Sequence, residues 1–408
     1  MRFIPSVLSK RENEEDGAAV LPRRLLCGLI LTFGWVGGAH AAEPAKGMEA
    51  GHRLVYVGTY TAATSRGIYA FDFDERSGAL APLGLAAATP NPSFLALSRD
   101  GQLVYAVNES SHGAPGSVSA FRRRSSEGAA LDPLGEQPSG GVSPCHLALD
   151  GTNRWLFVAN FGSGSLAEFP LSPEGRILPA AALLADSGSG PRLPKQRSPH
   201  VHCAVLDPTG RFVLACDLGT DRVMVWRLDP ETGRLRANDP PWAALPAGSG
   251  PRHLAFNPRG DRVYVVSELA STLAVFRWNP GKGSLDLLQV LPTLPPGTDG
   301  ANAAAEVQVD ASGRFVYVSN RGHGDVTWFK ADEAGALSFA ASFSCAGRLP
   351  RNFCLDPSGE FLLVALQDTN RIDVLRRNPA TGGLTPTGHF AGISEPQCII
   401  FAPVPPGL

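Results

Sequence analysis

From about residue 50 onward one pattern of apolar and polar positions repeats along the chain. A Pro or polar start leads into a short apolar run, a tight polar turn, a second apolar run and a closing polar residue. It first reads Asn91-Pro92-Ser93-Phe94-Leu95-Ala96-Leu97, Asp100-Gly101, then Leu103-Val104-Tyr105-Ala106-Val107 and Asn108. It returns as Pro144-Cys145-His146-Leu147, Asp150-Gly151, then Trp155-Leu156-Phe157-Val158-Ala159 and Asn160. The same turn comes back at Asp207-Pro208-Thr209-Gly210, Asn257-Pro258-Arg259-Gly260, Asp310-Ala311-Ser312-Gly313 and Asp356-Pro357-Ser358-Gly359. Short apolar runs split by Asp/Asn-x-x-Gly are strands joined in hairpins. An alternating third strand follows most pairs, as in Arg222-Val223-Met224-Val225-Trp226, and a turn such as Asp229 to Gly233 leads to a short fourth. No stretch after residue 50 carries a helical period.

Measured from Asp100, Asp150, Asp207, Asn257, Asp310 and Asp356, the repeat is 46 to 57 residues long. That is the length of a four-stranded propeller blade. Six turns predict six blades, and two fragments supply a seventh. Arg53-Leu54-Val55-Tyr56-Val57-Gly58 reads as a second strand without its first, and Glu395-Pro396-Gln397-Cys398-Ile399-Ile400-Phe401 as a first without its second. Joined, they close the ring and leave no free edge. The expected fold is an all-β, seven-bladed β-propeller over residues 52–403, whose N- and C-terminal strands share one blade. Residues 42–51 read as a linker and 404–408 as a tail.

Closure places the candidate chemistry. The start of a first strand and the end of a second lie at one edge of the hairpin, and the first strand is innermost. One mouth of the central channel therefore gathers His146, His200, His202, Arg252, His253, Glu306, Arg351, Asn352 and Gln397 from first-strand starts. It gathers Asn108, Glu109, Asn160, Asp217, Glu268, Asn320, Arg321 and Gln367 from second-strand ends. The opposite edge carries only turn formers. Each residue also has a plain structural use: channel histidines can be hydrogen-bonding core groups, and arginines can pair with Glu268 or Glu306 across blades. His200 and His202, two apart, would share one face of a strand, but no third ligand stands at a diagnostic spacing, so no metal or other cofactor is expected. Cys203 and Cys216 fall opposite one another, in a cross-strand geometry that disfavours a disulfide.

Composition narrows the partners. Lys+Arg 36 against Asp+Glu 38 gives a net charge of -2, with no basic block, which argues against nucleic acid or an anionic membrane. Seven Cys without a CxxC pair, and no GxGxxG, GxxxxGK[ST] or HExxH, remove zinc-ribbon, nucleotide and zinc-protease readings. The first 41 residues read as a leader. An apolar run over residues 25–36 follows Arg23-Arg24 and precedes Ala39-His40-Ala41, a secretory signal pattern too short to span a bilayer. Glu12, Glu14, Glu15 and Asp16 are unusual in such a leader. The chain is expected in the periplasm or secreted, starting near Ala42, and in the cytoplasm if the leader does not function.

The chain resembles the seven-bladed propeller lactonase family, which includes 6-phosphogluconolactonases and carboxy-muconate cyclases. The matching segments include Tyr56-Val57-Gly58-Thr59-Tyr60-Thr61, Pro144-Cys145-His146, Pro199-His200-Val201-His202, Gly250-Pro251-Arg252-His253, Ser267-Glu268-Leu269, Ser319-Asn320-Arg321-Gly322-His323 and Pro350-Arg351-Asn352-Phe353. The resemblance implies a lactonase acting on a small anionic sugar lactone, with a His of the Pro-His-x-His segment, Arg252, Glu268 and Arg321 as its functional candidates. Lactone hydrolysis needs a base for water and donors for the oxyanion. Glu268 or His202 would be the base and Arg321 an oxyanion donor, while Arg252, His200, His146, Arg351 and Asn320 would bind substrate. Gln308 and Leu366 depart from the family's usual His and Asn and are expected to neighbour the rim. Alternatives are a muconate-type cycloisomerase and a non-catalytic propeller that binds a ligand or protein.

Overall fold

A computed structural model describes residues 51–110, 113–124 and 129–403. The leader and the tail lie outside these residues. The described residues form 28 strands, numbered in chain order, in seven four-stranded antiparallel sheets. No helix among them is long and apolar enough to cross a membrane. Six sheets are continuous in sequence, over 94–142, 144–185, 201–244, 251–292, 303–344 and 350–392. The seventh is composite: β28 (Pro396–Phe401) pairs antiparallel with β1 (His52–Thr59), from Val55↔Phe401 to Thr59↔Pro396.

The first strands of the other sheets are β4 (Phe94–Leu97), β8 (Pro144–Leu149), β12 (Val201–Leu206), β16 (Pro251–Phe256), β20 (Ala303–Val309) and β24 (Pro350–Leu355). Each touches the first strands of both neighbouring blades, with β28 between β24 and β4, so these strands form a closed inner ring. The hydrophobic core has the same circular form. Each of seven apolar clusters draws on two adjacent sheets; one packs Leu363 and Ala365 of one blade against Val55 and Ile399 of the composite blade. Every blade thus buries both faces, which a single four-stranded sheet cannot do alone.

The repeated polar residues bind the turns. Oδ1 of Asp207 accepts from the amides of Arg211 and Phe212 at 2.9 and 2.8 Å, and Asp150 serves Arg154 and Trp155 in the same way. In that second turn the left-handed position falls to Asn153 (φ 57°), where Gly210, Gly260 and Gly313 stand elsewhere, so the turn begins at Asp150 and closes two residues beyond Gly151. The second-strand tyrosines are core, and two of them also tie neighbouring blades. The hydroxyls of Tyr105 and Tyr317 donate to the carbonyls of Gly175 and Gly382 in the next blade's outer turn, at 3.0 and 2.7 Å. Gly382 has φ +75°, and a Cβ there would stand 2.4 Å from the Phe315 ring, so two constraints select glycine. Cys203 and Cys216 pair in register as free thiols.

The inner strands also carry a feature the apolar pattern does not disclose. In β8, β12, β16, β20 and β24 the register slips near the start of the strand, and β28 slips opposite Gly58 and Thr59. Each slip is a β-bulge, which leaves one residue unpaired and redirects its side chain. Cys145, His202, Arg252, Arg351 and Gln397 are such residues, all at the same edge.

Candidate functional site

The bulges bring cations from separate blades to one mouth. Arg252 is the second residue of β16, Arg321 ends β21 (Phe315–Arg321), and Arg351 is the second residue of β24. Glu268, just past β17 (Arg262–Ser267), links two of them. Its Oε2 accepts from Arg321 Nη2 at 2.6 Å and from Arg252 Nε at 3.1 Å. The side chains of Arg252, Glu268 and Arg321 are only 3%, 13% and 14% exposed, so these ion pairs are poorly screened. Burial pushes the Glu268 carboxyl upward, but Arg321 and Arg252 outweigh it and hold it at about 2. Burial, and then repulsion from Arg321 and Arg351, lowers Arg252 to about 10. Three guanidiniums therefore crowd one mouth.

Arg252 has five N–H groups. Nε serves Glu268, and Nη1 serves the Ala305 carbonyl at 2.8 Å and faces His253 Nε2 at 3.3 Å. Its Nη2 makes no bond among the described residues. Arg351 is held differently: its Nη2 donates to the Tyr60 hydroxyl at 3.1 Å, which donates to Glu109 at 3.0 Å. This chain crosses the seam of the ring, joining positions 291 residues apart.

Imidazoles lie beside the arginines. The rings of His146 and His202 each approach that of His253 to 5.2 Å, although His146 comes from two blades away. Burial, more than any charge, keeps all three well below the usual histidine value, so they are neutral at pH 7. His202 Nδ1 faces the Cys145 sulfur at 3.8 Å. His253 Nδ1 lies 3.1 Å from Oε2 of Glu306, which also accepts from Asn352 at 2.7 Å. Burial raises the Glu306 carboxyl to about 7.

The structure thus gathers Glu268, His202, Arg321, Arg252, His146 and Arg351. His200 stands aside: its ring stacks on Phe161 at 4.6 Å, its Nδ1 meets the Phe161 carbonyl at 2.9 Å, and its amide donates to Asp217. It precedes β12 and His202 occupies the bulge, so the two histidines do not share a strand face. Asn320 is fully buried, with its amide spent on Thr293 and Asn302 of the segment that leads into its blade and on Asp325 of the blade itself. Gln308 braces β20 against β24 through the backbone of Phe353 and Leu355, and Leu366 is buried in a blade core. Neither departure from the family pattern faces the arginine cluster. Sequence reasoning put His253, Glu306, Asn352 and Glu109 on the rim without assigning them a role, and left Tyr60 out. The register slips and the approach of Tyr60 to Arg351 across the seam decide their roles, and neither contact has a local sequence signal.

A closed propeller with arginines, a carboxylate and neutral imidazoles at one mouth has the chemistry to hold a small anion. Residues 54–401 match the family described as Lactonase, 7-bladed beta-propeller, and the chain belongs to that family. It is 32% identical over 347 residues to the 6-phosphogluconolactonase of Bacillus subtilis, an alignment spanning 85% of this chain and 97% of the relative. The 6-phosphogluconolactonase of Formosa agariphila is 30% identical over 335 residues, spanning 81% and 94%. The solved structure of the Pseudomonas aeruginosa periplasmic gluconolactonase superposes with a TM-score of 0.82 at 34% identity, covering 87% of this chain and all of that one.

Proposed function

We propose that this protein is a lactonase that opens a sugar-derived lactone bearing an acidic group, at the mouth lined by Arg252, Arg321 and Arg351. The observation that carries this reading is Arg252: nearly buried, fixed on three sides, with Nη2 uncommitted. Burying a guanidinium is costly, and one held this way is preorganised for an anion or an oxyanion. The names of the Bacillus and Pseudomonas relatives support the same reaction class.

In the mechanism we infer, a water attacks the ring carbonyl, and His202 takes its proton. His202 suits this role better than Glu268. It is neutral and has an unshared pair on a ring nitrogen, whereas the Glu268 carboxylate is held at about 2 with Oε2 committed to Arg321 and Arg252. Arg252 Nη2 and Arg321 stabilise the charge that develops on the carbonyl oxygen, and Glu268 keeps both in place. The ring C–O bond then breaks, and the departing oxygen takes the proton from His202. Arg351, braced by Tyr60 and Glu109, binds the acidic group. We further propose export through the leader, which agrees with the signal pattern and with the periplasmic naming of the Pseudomonas relative.

The test is a panel of sugar lactones, with and without phosphate, assayed with a chelator present. Turnover is expected for at least one. Arg351→Ala should raise KM, whereas Arg252→Ala should lower kcat by about 10²–10³-fold and His202→Asn by about 10²–10⁴-fold. If no lactone is opened, or if His202→Asn keeps full rate, the reading fails and a binding propeller replaces it.

A further inference from the structure

Beneath the mouth lies a buried carboxylate that the hydrolytic scheme does not use. Glu306 sits on β20, one blade on from His253. Its counterparts on the neighbouring inner strands, His253 and Asn352, are uncharged at neutral pH, so the repeat itself does not require an acid here. Hydrogen-bond logic assigns its action. A guanidinium only donates, so the 3.3 Å contact from Arg252 Nη1 requires a lone pair on His253 Nε2. The single proton of neutral His253 then resides on Nδ1 and is donated to Glu306 Oε2 at 3.1 Å. Glu306 receives two further donors, Asn352 Nδ2 on Oε2 at 2.7 Å and the Val307 amide on Oε1 at 3.2 Å. With three donors aimed at it, the group is bound as an acceptor. In the opposite tautomer, His253 would present N–H to Arg252, donor against donor.

We propose that Glu306 is a positioning residue, which fixes the tautomer of His253 and through it the guanidinium of Arg252 at the mouth. Such outer partners orient a functional group and commonly change its activity by about 10–100-fold when lost. The proposal predicts a pH signature. The groups that act on the Glu306 carboxyl are Arg252 and His253 on β16, His146 on β8, Asn352 and Cys354 on β24 and Cys398 on β28, while the Ser319 hydroxyl on β21 accepts from the Glu306 backbone amide. Through pH 6–8 Arg252 stays charged, His146 and His253 stay neutral, and burial keeps both thiols un-ionised. Glu306, raised by burial to about 7, is then the member of this group that titrates. Protonation leaves an acceptor oxygen for His253 but removes the charge that steadies Arg252, so kcat/KM should rise with pH through about 7.

The kinetic arm rests on the lactonase reading; a spectroscopic arm does not. Nitrogen-15 NMR of the histidine rings in the full chain reports the tautomer of His253, identified by its loss in His253→Gln. The expected wild-type signal is the Nδ1–H tautomer, and Glu306→Ala should shift it toward Nε2–H or a mixture. Glu306→Gln keeps an acceptor oxygen without the charge, and should retain the tautomer while flattening the pH profile. Glu306→Ala should lower kcat/KM by about 10–100-fold. An unchanged His253 signal in Glu306→Ala overturns the proposal, even if the wild type opens no lactone. So does an unaltered pH profile in Glu306→Gln when the wild type is active.

Discussion

Replacing Glu268 by Gln preserves shape and removes the charge shared by two buried arginines. Were Glu268 only the base expected from the sequence, the substitution would cost rate and spare stability. The two ion pairs change that expectation. Holding the carboxyl at about 2 instead of the ordinary 4.5 corresponds to about 3 kcal/mol, at about 1.4 kcal/mol per tenfold. Breaking a buried pair costs a comparable ~3–5 kcal/mol, because the partner charges remain buried without compensation. The sign follows from linkage. The folded value lies below the unfolded one, so the stabilisation is complete above about 4.5 and disappears as pH falls toward about 2. At pH 3 about 1 kcal/mol should remain. Equilibrium urea unfolding of both proteins at pH 7 and pH 3 measures this. Glu268→Gln should be less stable by about 3 kcal/mol at pH 7, and the gap should shrink by more than half at pH 3. Turnover should fall by about 10²-fold, as the arginines lose their common anchor. A variant within ~0.5 kcal/mol of wild type at pH 7, or an equal deficit at both pH values, refutes the electrostatic account.

Three further outcomes are open to measurement. Removing residues 395–408 deletes β28, exposes the edge of β1 and strips Cys398 and Ile399 from two core clusters; light scattering should show aggregation, and a monomer of unchanged heat stability would contradict closure. Gly382→Ala strains a left-handed turn and presses on Phe315, so the melting temperature should drop by several degrees, whereas an unchanged value would show that the turn relaxes freely. Mass spectrometry of the native protein should find an N-terminus near Ala42, and an intact Met1 would count against export.

The sequence by itself determined the architecture. Two apolar runs around Asp/Asn-x-x-Gly form a hairpin wherever they occur, because Asp207 or Asn257 binds the amides that the turn leaves free. Repetition at a blade's length then forces stacking, since each sheet has two apolar faces to cover. Counting the fragments at residues 53–58 and 395–401 was enough to predict the shared blade. The same counting placed Arg252, Glu268, Arg321 and His202 on one rim. It could not rank them, because three long-range features settle their roles. The inner-strand bulges direct Arg252 and Arg351 toward the mouth and separate His202 from His200. The seam brings Tyr60 to Arg351. Burial among other charges makes Glu268 a strong acid and Glu306 a weak one, although the two are chemically alike. Strand period and turn chemistry act over a few residues and can be read locally. The protonation of a carboxylate depends on every charge and every displaced water around it, and those neighbours come from blades that only the closed ring brings together.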